Sequence, residues 1–157
     1  MTVSGEVLGM RPADIGELVA VGDPRVSPDG RAVAFTVTSV DMEANEYRSS
    51  IWVVPADGSG EARPFTAGDH KDAKPRWSAD GRSLAFVRHK DGSEETEICV
   101  IPADGGEARV VSTWKDEVSD VAWAPDGSRL AFTARQRDEG RYGEEREKDQ
   151  PLRRTIW

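Results

Sequence analysis

Apolar residues in this chain come in short bursts and not in helical stripes. Ala32 to Phe35, Ile51 to Val54, Leu84 to Val87, Ile98 to Ile101 and Leu130 to Phe132 are each bounded by turn residues or polar loops. Several of the bursts are rich in β-branched and aromatic residues. Runs of this length and composition, punctuated by glycine and proline, predict short strands joined by hairpins.

The bursts belong to a longer phrase that is written three times. It reads from Arg25 through Ser27, Pro28, Asp29 and Gly30 to Phe35, then from Arg76 through Ser78, Ala79, Asp80 and Gly81 to Phe86, then from Ala122 through Ala124, Pro125, Asp126 and Gly127 to Phe132. The turn aspartates Asp29, Asp80 and Asp126 stand 51 and then 46 residues apart. A period of that size is the signature of a repeat architecture. The turn has its own chemistry. Proline pre-sets φ at the first central position, aspartate tolerates the second and bonds back to the chain, and glycine supplies a positive φ at the end. The second unit shows the rest of the repeat. A run at Arg76 to Ser78, another at Arg82 to Arg88, a third at Glu97 to Ile101 and a fourth at Ala108 to Ser112 make four strands.

Four-stranded antiparallel units of this length are blades of a β-propeller. The fold class is therefore all-β, with two full blades and part of a third. The expected boundaries are a leader at 1–22 and a partial propeller at 23–157, with blades near 23–66, 73–113 and 119–157. Within the leader, Pro12 to Val19 predicts one or two helical turns that put Ile15, Leu18 and Val19 on one face. Trp77, Trp123, Phe35, Phe86 and Phe132 are expected to pack between blades, with Ala34, Ala85 and Ala131 where facing sheets come close. The third unit is expected to break off early. Arg153 to Trp157 looks like the third strand that Arg48 to Trp52 opens in unit one. Three blades cannot close a ring, so an apolar blade face is expected to stand open.

The bulk properties narrow the setting. The 157 residues carry a formal net charge of −8, which argues against a nucleic-acid partner. Cys99 is the one cysteine and has no internal disulfide partner. No basic, apolar leader and no run of about 20 apolar residues is present, so no membrane partner is expected and the default location is cytoplasmic.

The blade phrase resembles that of TolB-like propeller repeats. The leader running into Asp23 to Gly30, the long first-blade loop before Ile51 to Val54, and the charged insertion followed by Arg153 to Ile156 are similar to the start of the prolyl oligopeptidase family, its acylaminoacyl-peptidase branch in particular. That resemblance implies a two-domain serine peptidase. Its N-terminal propeller admits only short peptides, and a C-terminal α/β-hydrolase domain holds the catalytic Ser, Asp and His. On this reading the partners are the remaining blades, that hydrolase domain and, for the parent, short peptide substrates. A homo-oligomer is a further possibility. The alternative is a fragment of a TolB-like binding or scaffold propeller with no enzymatic activity.

No catalytic, cofactor-binding or metal-binding residue is expected in this chain. It has no Gly-x-Ser-x-Gly nucleophile elbow, and Gly58 to Gly60 falls in a hairpin turn. His70 and His89 each sit in a polar loop, without the serine and carboxylate a triad needs. The Asp-Gly pairs lack the alternating acidic ligands of a calcium loop. Cys99, in an apolar strand, reads as a buried inert thiol. From Arg135 to Asp149, 11 of 15 residues are charged with nearly balanced signs. This stretch reads as a solvated loop or as a contact loop toward another domain or subunit.

Overall fold

The computed structural model describes residues 11–134. After a 3-10 turn at Pro12–Glu17, the described chain is built from strands. Blade 1 holds β1 (Val19–Val26), β2 (Ala32–Asp41), β3 (Glu46–Pro55) and the two-residue β4 (Arg63–Pro64). Blade 2 holds β5 (Lys71–Trp77), β6 (Ser83–His89), β7 (Glu95–Pro102) and β8 (Arg109–Lys115). Within the described residues, blade 3 supplies β9 (Val118–Trp123) and β10 (Leu130–Ala134). Neighbouring strands within each blade are antiparallel, and blades 1 and 2 touch through one parallel bridge, Ser49 to Lys71. The arrangement is an open array of propeller blades.

The turn phrase explains the first hairpin of each blade. Ser27 Oγ donates to Asp29 Oδ1 at 2.6 Å, and the same carboxylate oxygen accepts from the Arg31 N–H at 3.0 Å. The Ala32 N–H then donates back to Ser27 Oγ at 3.0 Å. Ser78, Asp80, Arg82 and Ser83 repeat this set with the same distances. In blade 3, Ala124 replaces the serine, and Ser128 donates to Asp126 through both its N–H and its hydroxyl. These bonds hold the three carboxyls below their ordinary range, led by the serine hydroxyl at Asp29 and Asp80 and by the Ser128 N–H at Asp126. Gly81 closes its turn with φ +70. A β-carbon there has room, its nearest neighbour being Pro28 Cδ at 3.6 Å, so the cost of substitution is backbone strain. Gly81→Val is expected to lose about 1–2 kcal/mol in denaturant unfolding, and Gly81→Asn clearly less.

Two apolar clusters join the blades. In the first, Ala34, Ile51 and Val53 of blade 1 meet Leu84, Phe86, Cys99 and Ile101 of blade 2. In the second, Val87 and Ile98 of blade 2 meet Val118, Val121, Phe132 and Ala134 of blade 3. Each blade thus shows its successor a face of small and β-branched residues and shows its predecessor a face built around phenylalanine. Ala34, Ala85, Phe86 and Phe132 are buried as the repeat predicts, whereas Phe35 is half-buried.

Several details depart from the sequence reading. Strand β1 begins at Val19, inside the expected leader, because Val19 to Gly22 pair with Ser39 to Thr36. The leader turn is 3-10, Ile15, Leu18 and Val19 are exposed, and Val19 belongs to β1 and not to the turn. Pro24 and Pro75 lie inside first strands, each at a bulge where the pairing register shifts. Proline has no N–H for the ladder, and a bulge removes the need for one. The charged stretch Arg135 to Asp149 and the strand expected at Arg153 to Trp157 lie outside the described residues.

Candidate functional site: the inner-strand wall

Strands β1, β5 and β9 are the first strands of their blades, the position that faces the axis of a propeller. The Trp77 indole Nε1 donates to the Arg25 carbonyl at 2.9 Å, and the Trp123 indole donates to the Arg76 carbonyl at 2.9 Å. Arg25 and Arg76 are repeat equivalents. Each tryptophan therefore stitches its own inner strand to the same backbone group of the preceding one. Trp77 packs against the first apolar cluster, which joins blades 1 and 2, as the repeat predicts; both tryptophans are half-buried, and each adds a hydrogen bond between blades that the repeat did not announce.

Arg76 adds a second link. Its Nη1 lies 2.7 Å from Asp23 Oδ2 in blade 1, and its Nη2 lies 2.6 Å from Asp120 Oδ1 in blade 3. Asp23 also pairs with Arg25 at 2.6 Å. Asp23, Lys74 and Asp120 occupy equivalent places in the three inner strands, and Asp23 and Lys74 take left-handed φ values of 49 and 60. Asp23, Lys74, Arg76 and Asp120 surround a cleft of about 410 Å3, with Thr36 and Thr38 on its blade 1 side. Chemically, this wall offers charge and hydrogen bonding along an axis, with no nucleophile and base in mutual reach. A second cleft, of about 580 Å3, opens on the outer face of blade 1 against Val21, Phe35, Val37 and Trp52.

Blade 2 carries a buried ion pair. Arg88 grips Asp72 through Nε at 2.7 Å and Nη2 at 2.9 Å, with the Asp72 side chain 1% exposed and that of Arg88 16%. The guanidinium lies 5.2 Å from the centre of the Phe86 ring, on the face that meets blade 1. The Asp72 hydrogen bonds raise the Arg88 pKa further, against desolvation. Asp72 and Arg88 are direct cross-strand partners, and the equivalent partners are Val21 and Val37 in blade 1 and Val118 and Ala134 in blade 3. Among the three blades, only the middle one puts charge at this pair.

The residues weighed from sequence are scattered. The Ser59 N–H donates to Asp57 Oδ1 at 3.0 Å in the exposed hairpin turn between β3 and β4, as expected of a turn and not of a nucleophile elbow. Cys99 is fully buried, and burial pushes its thiol up to about 11, so it stays protonated and inert at neutral pH. His70 lies in the half-exposed approach to β5. His89 ends β6, half-buried rather than solvated, with Nδ1 3.2 Å from the Thr96 hydroxyl, which in turn donates to the Asp116 carbonyl. No three His, Cys, Asp or Glu residues among those described are grouped to hold a metal ion.

Burial lowers the His89 pKa from 6.5, with Lys71 and Lys74 acting the same way and Glu117 opposing. The unfolded chain therefore takes up this proton more readily than the folded one. The stabilising contribution of the neutral ring is complete above about 6.5 and declines as pH falls below it. His89→Gln is expected to remove that part of the acid dependence, measured as a smaller drop in the unfolding midpoint between pH 7.5 and 5.5 than the parent chain shows.

Residues 16–152 match the family model described as TolB beta propeller domain. The chain is 36% identical over 135 residues to an uncharacterized peptidase, YuxL, of Bacillus subtilis strain 168, an alignment that covers 86% of the chain and 20% of that protein. Among solved structures, an acylaminoacyl peptidase from Pyrococcus horikoshii superposes with a TM-score of 0.66 at 24% identity, over 80% of the chain and 19% of its own length. The β-propeller domain of the Trilobed protease from Pyrococcus furiosus superposes with a TM-score of 0.60 at 21% identity, over 75% of the chain and 34% of that domain. The chain spans about a fifth of the length of the curated relatives it matches.

Proposed function

The chain belongs to the TolB β-propeller family, and from that premise we propose that it is the opening part of the propeller of a larger serine peptidase resembling the acylaminoacyl-peptidase branch of the prolyl oligopeptidase family. In this reading the chain performs no chemistry. Its blades join others to form a ring that restricts entry to short peptides, and an α/β-hydrolase domain elsewhere in the polypeptide cleaves them. The observation that carries the reading is close likeness to a peptidase of which this chain fills only a small part. The inner-strand wall supports it as well. The Arg76 links and the indole stitches brace three blades against one another, as a rigid filter requires.

The reading frame downstream of this chain tests the proposal. Further Pro-Asp-Gly repeats followed by Gly-x-Ser-x-Gly between a strand and a helix are expected. Further repeats followed directly by a stop would replace this reading with that of a binding propeller that has no enzyme attached.

A further inference from the structure

The cleft between the inner strands of blades 1 and 2 holds polar groups that their repeat equivalents do not leave open. In blade 3, Thr133 lies beside Ser119 of the inner strand, and the two hydroxyls bond at 2.8 Å. In blade 2 the equivalents are Val87 and Ala73, and Val87 packs with Val118, Val121 and Phe132, so the junction of blades 2 and 3 is filled by apolar side chains. In blade 1 the equivalents are Thr36 and Gly22. Thr36 keeps the hydroxyl without the serine: its Oγ1 is buried and has no hydrogen bond among the described residues. Thr38 lies on the same face of β2, opposite Ala20, and its hydroxyl has no partner among the described residues either. Nothing in the backbone requires Gly22. It takes no positive φ, and a β-carbon there would meet no atom within 4 Å. The exchange of serine for glycine leaves open space beside two unpaired hydroxyls.

The charges of this cleft are unequally paired. Arg76 holds Asp23 and Asp120, and Asp23 also holds Arg25, so these two cations and two carboxylates are neutral as a set. Lys74 lines the same cleft, and its ammonium has no ion-pair or hydrogen-bond partner among the described residues. It stands where the neighbouring blades have Asp23 and Asp120. Its φ of 60 is a left-handed value that aspartate tolerates better than lysine, so the reversal of charge runs against local preference. An unpaired cation and unpaired hydroxyls in one cleft suit a ligand with one negative charge and acceptor oxygens. A carboxylate supplies both. A phosphate dianion would bring a second charge toward Asp23 and Asp120, with no second unpaired cation among the described lining residues to offset it. The rest of the lining, Ala20, Val21 and Ala73, is small and apolar, and the volume of about 410 Å3 falls in the range of small-ligand pockets.

We propose that this cleft binds the C-terminal carboxylate of a peptide, with the Lys74 ammonium pairing its charge and the Thr38 hydroxyl donating to an oxygen in the space that Gly22 leaves. One staggered step about χ1 exchanges the Thr36 hydroxyl with its methyl group and gives the buried oxygen a partner in the same ligand. The choice of a peptide rests on the proposed function, because the cleft lies on the strands that face the propeller axis, the route which that reading gives to the substrate. A peptide anchored by its tail keeps its N-terminal end free to reach the hydrolase domain.

Isothermal titration calorimetry of the full-length polypeptide tests the proposal, after fluorophosphonate treatment so that no peptide is cleaved. The probes are acetyl-Ala-Ala as the free acid, the same peptide as its amide, and acetyl-Glu-Ala amide, which carries its carboxylate on a side chain. The free acid is expected to bind about tenfold more tightly than either amide. Lys74→Asn removes the charge and keeps a residue suited to the left-handed backbone. Gly22→Ser fills the space and gives Thr36 the partner that Ser119 gives Thr133. Each variant, at a temperature where its unfolding curve shows it folded, is expected to lose the preference for the acid. Equal binding of acid and amide by the parent protein would overturn the proposal, as would a preference that survives in either variant. Equal binding of the side-chain acid would overturn the assignment to a chain terminus. The titration reads binding and not cleavage. A Lys74-dependent preference in a protein without a hydrolase domain would keep the site and defeat the proposed function, and a peptidase without the preference would do the reverse.

Discussion

Asp72→Val is expected to cost about 3–5 kcal/mol, close to the whole stability of a small array. The carboxylate it removes is almost completely buried and holds the Arg88 guanidinium by two hydrogen bonds. Without it, the cation faces Phe86 and the blade 1 interface uncompensated. The other blades supply the control. Their equivalent pairs are Val21–Val37 and Val118–Ala134, and in blade 3 both residues are buried without charge. Asp72→Val combined with Arg88→Val copies the blade 1 pair and should return stability to within about 1 kcal/mol of the parent, since replacing a whole buried ion pair by packed apolar groups is often neutral. Urea unfolding of the two single variants and the double variant reads the coupling directly. If the double variant is as unstable as Asp72→Val alone, the damage comes from lost shape and not from an orphaned charge.

Phe86→Ala should cost about 3–5 kcal/mol, and Phe35→Ala well under half of that. The two residues hold the same place in the repeated phrase. Phe86 is fully buried between Ile51 and Val53 of blade 1 and Leu84, Cys99 and Ile101 of its own blade, so its loss leaves a cavity in the first cluster. Phe35 borders the open cleft of blade 1, where truncation leaves little that was enclosed. Denaturant midpoints of the two variants decide the matter, and equal losses would mean that the outer face of blade 1 is covered in solution.

The fold was legible in the sequence because its determinants are local. The Ser-Pro-Asp-Gly phrase carries its own hydrogen bonds within five residues, so each copy announces a hairpin and their spacing announces blades. The inner-strand wall was not legible, because its links cross blades. Arg76 meets partners 53 and 44 residues away, and each tryptophan meets a backbone carbonyl about one repeat earlier. The repeat showed where the tryptophans stand but not that their N–H groups were their distinctive contribution. Asp72 and Arg88 were missed for another reason. A bulge at Ala73 to Arg76 shifts the register between the turn and the pair, so counting outward from the Asp-Gly turn puts them out of step. The leader misled because its spacing put Ile15, Leu18 and Val19 on one helical face, whereas Val19 enters a strand.

The central claim is that these blades belong to a peptidase whose chemistry lies outside them. A fluorophosphonate probe, applied in parallel to the 157-residue chain and to the full-length gene product and followed by mass spectrometry of the labelled peptides, tests it most directly. The account predicts one labelled serine in the full-length protein, downstream of these residues, and no specific labelling of the chain alone. A labelled serine within residues 1–157, or a full-length protein that takes no label, would contradict it.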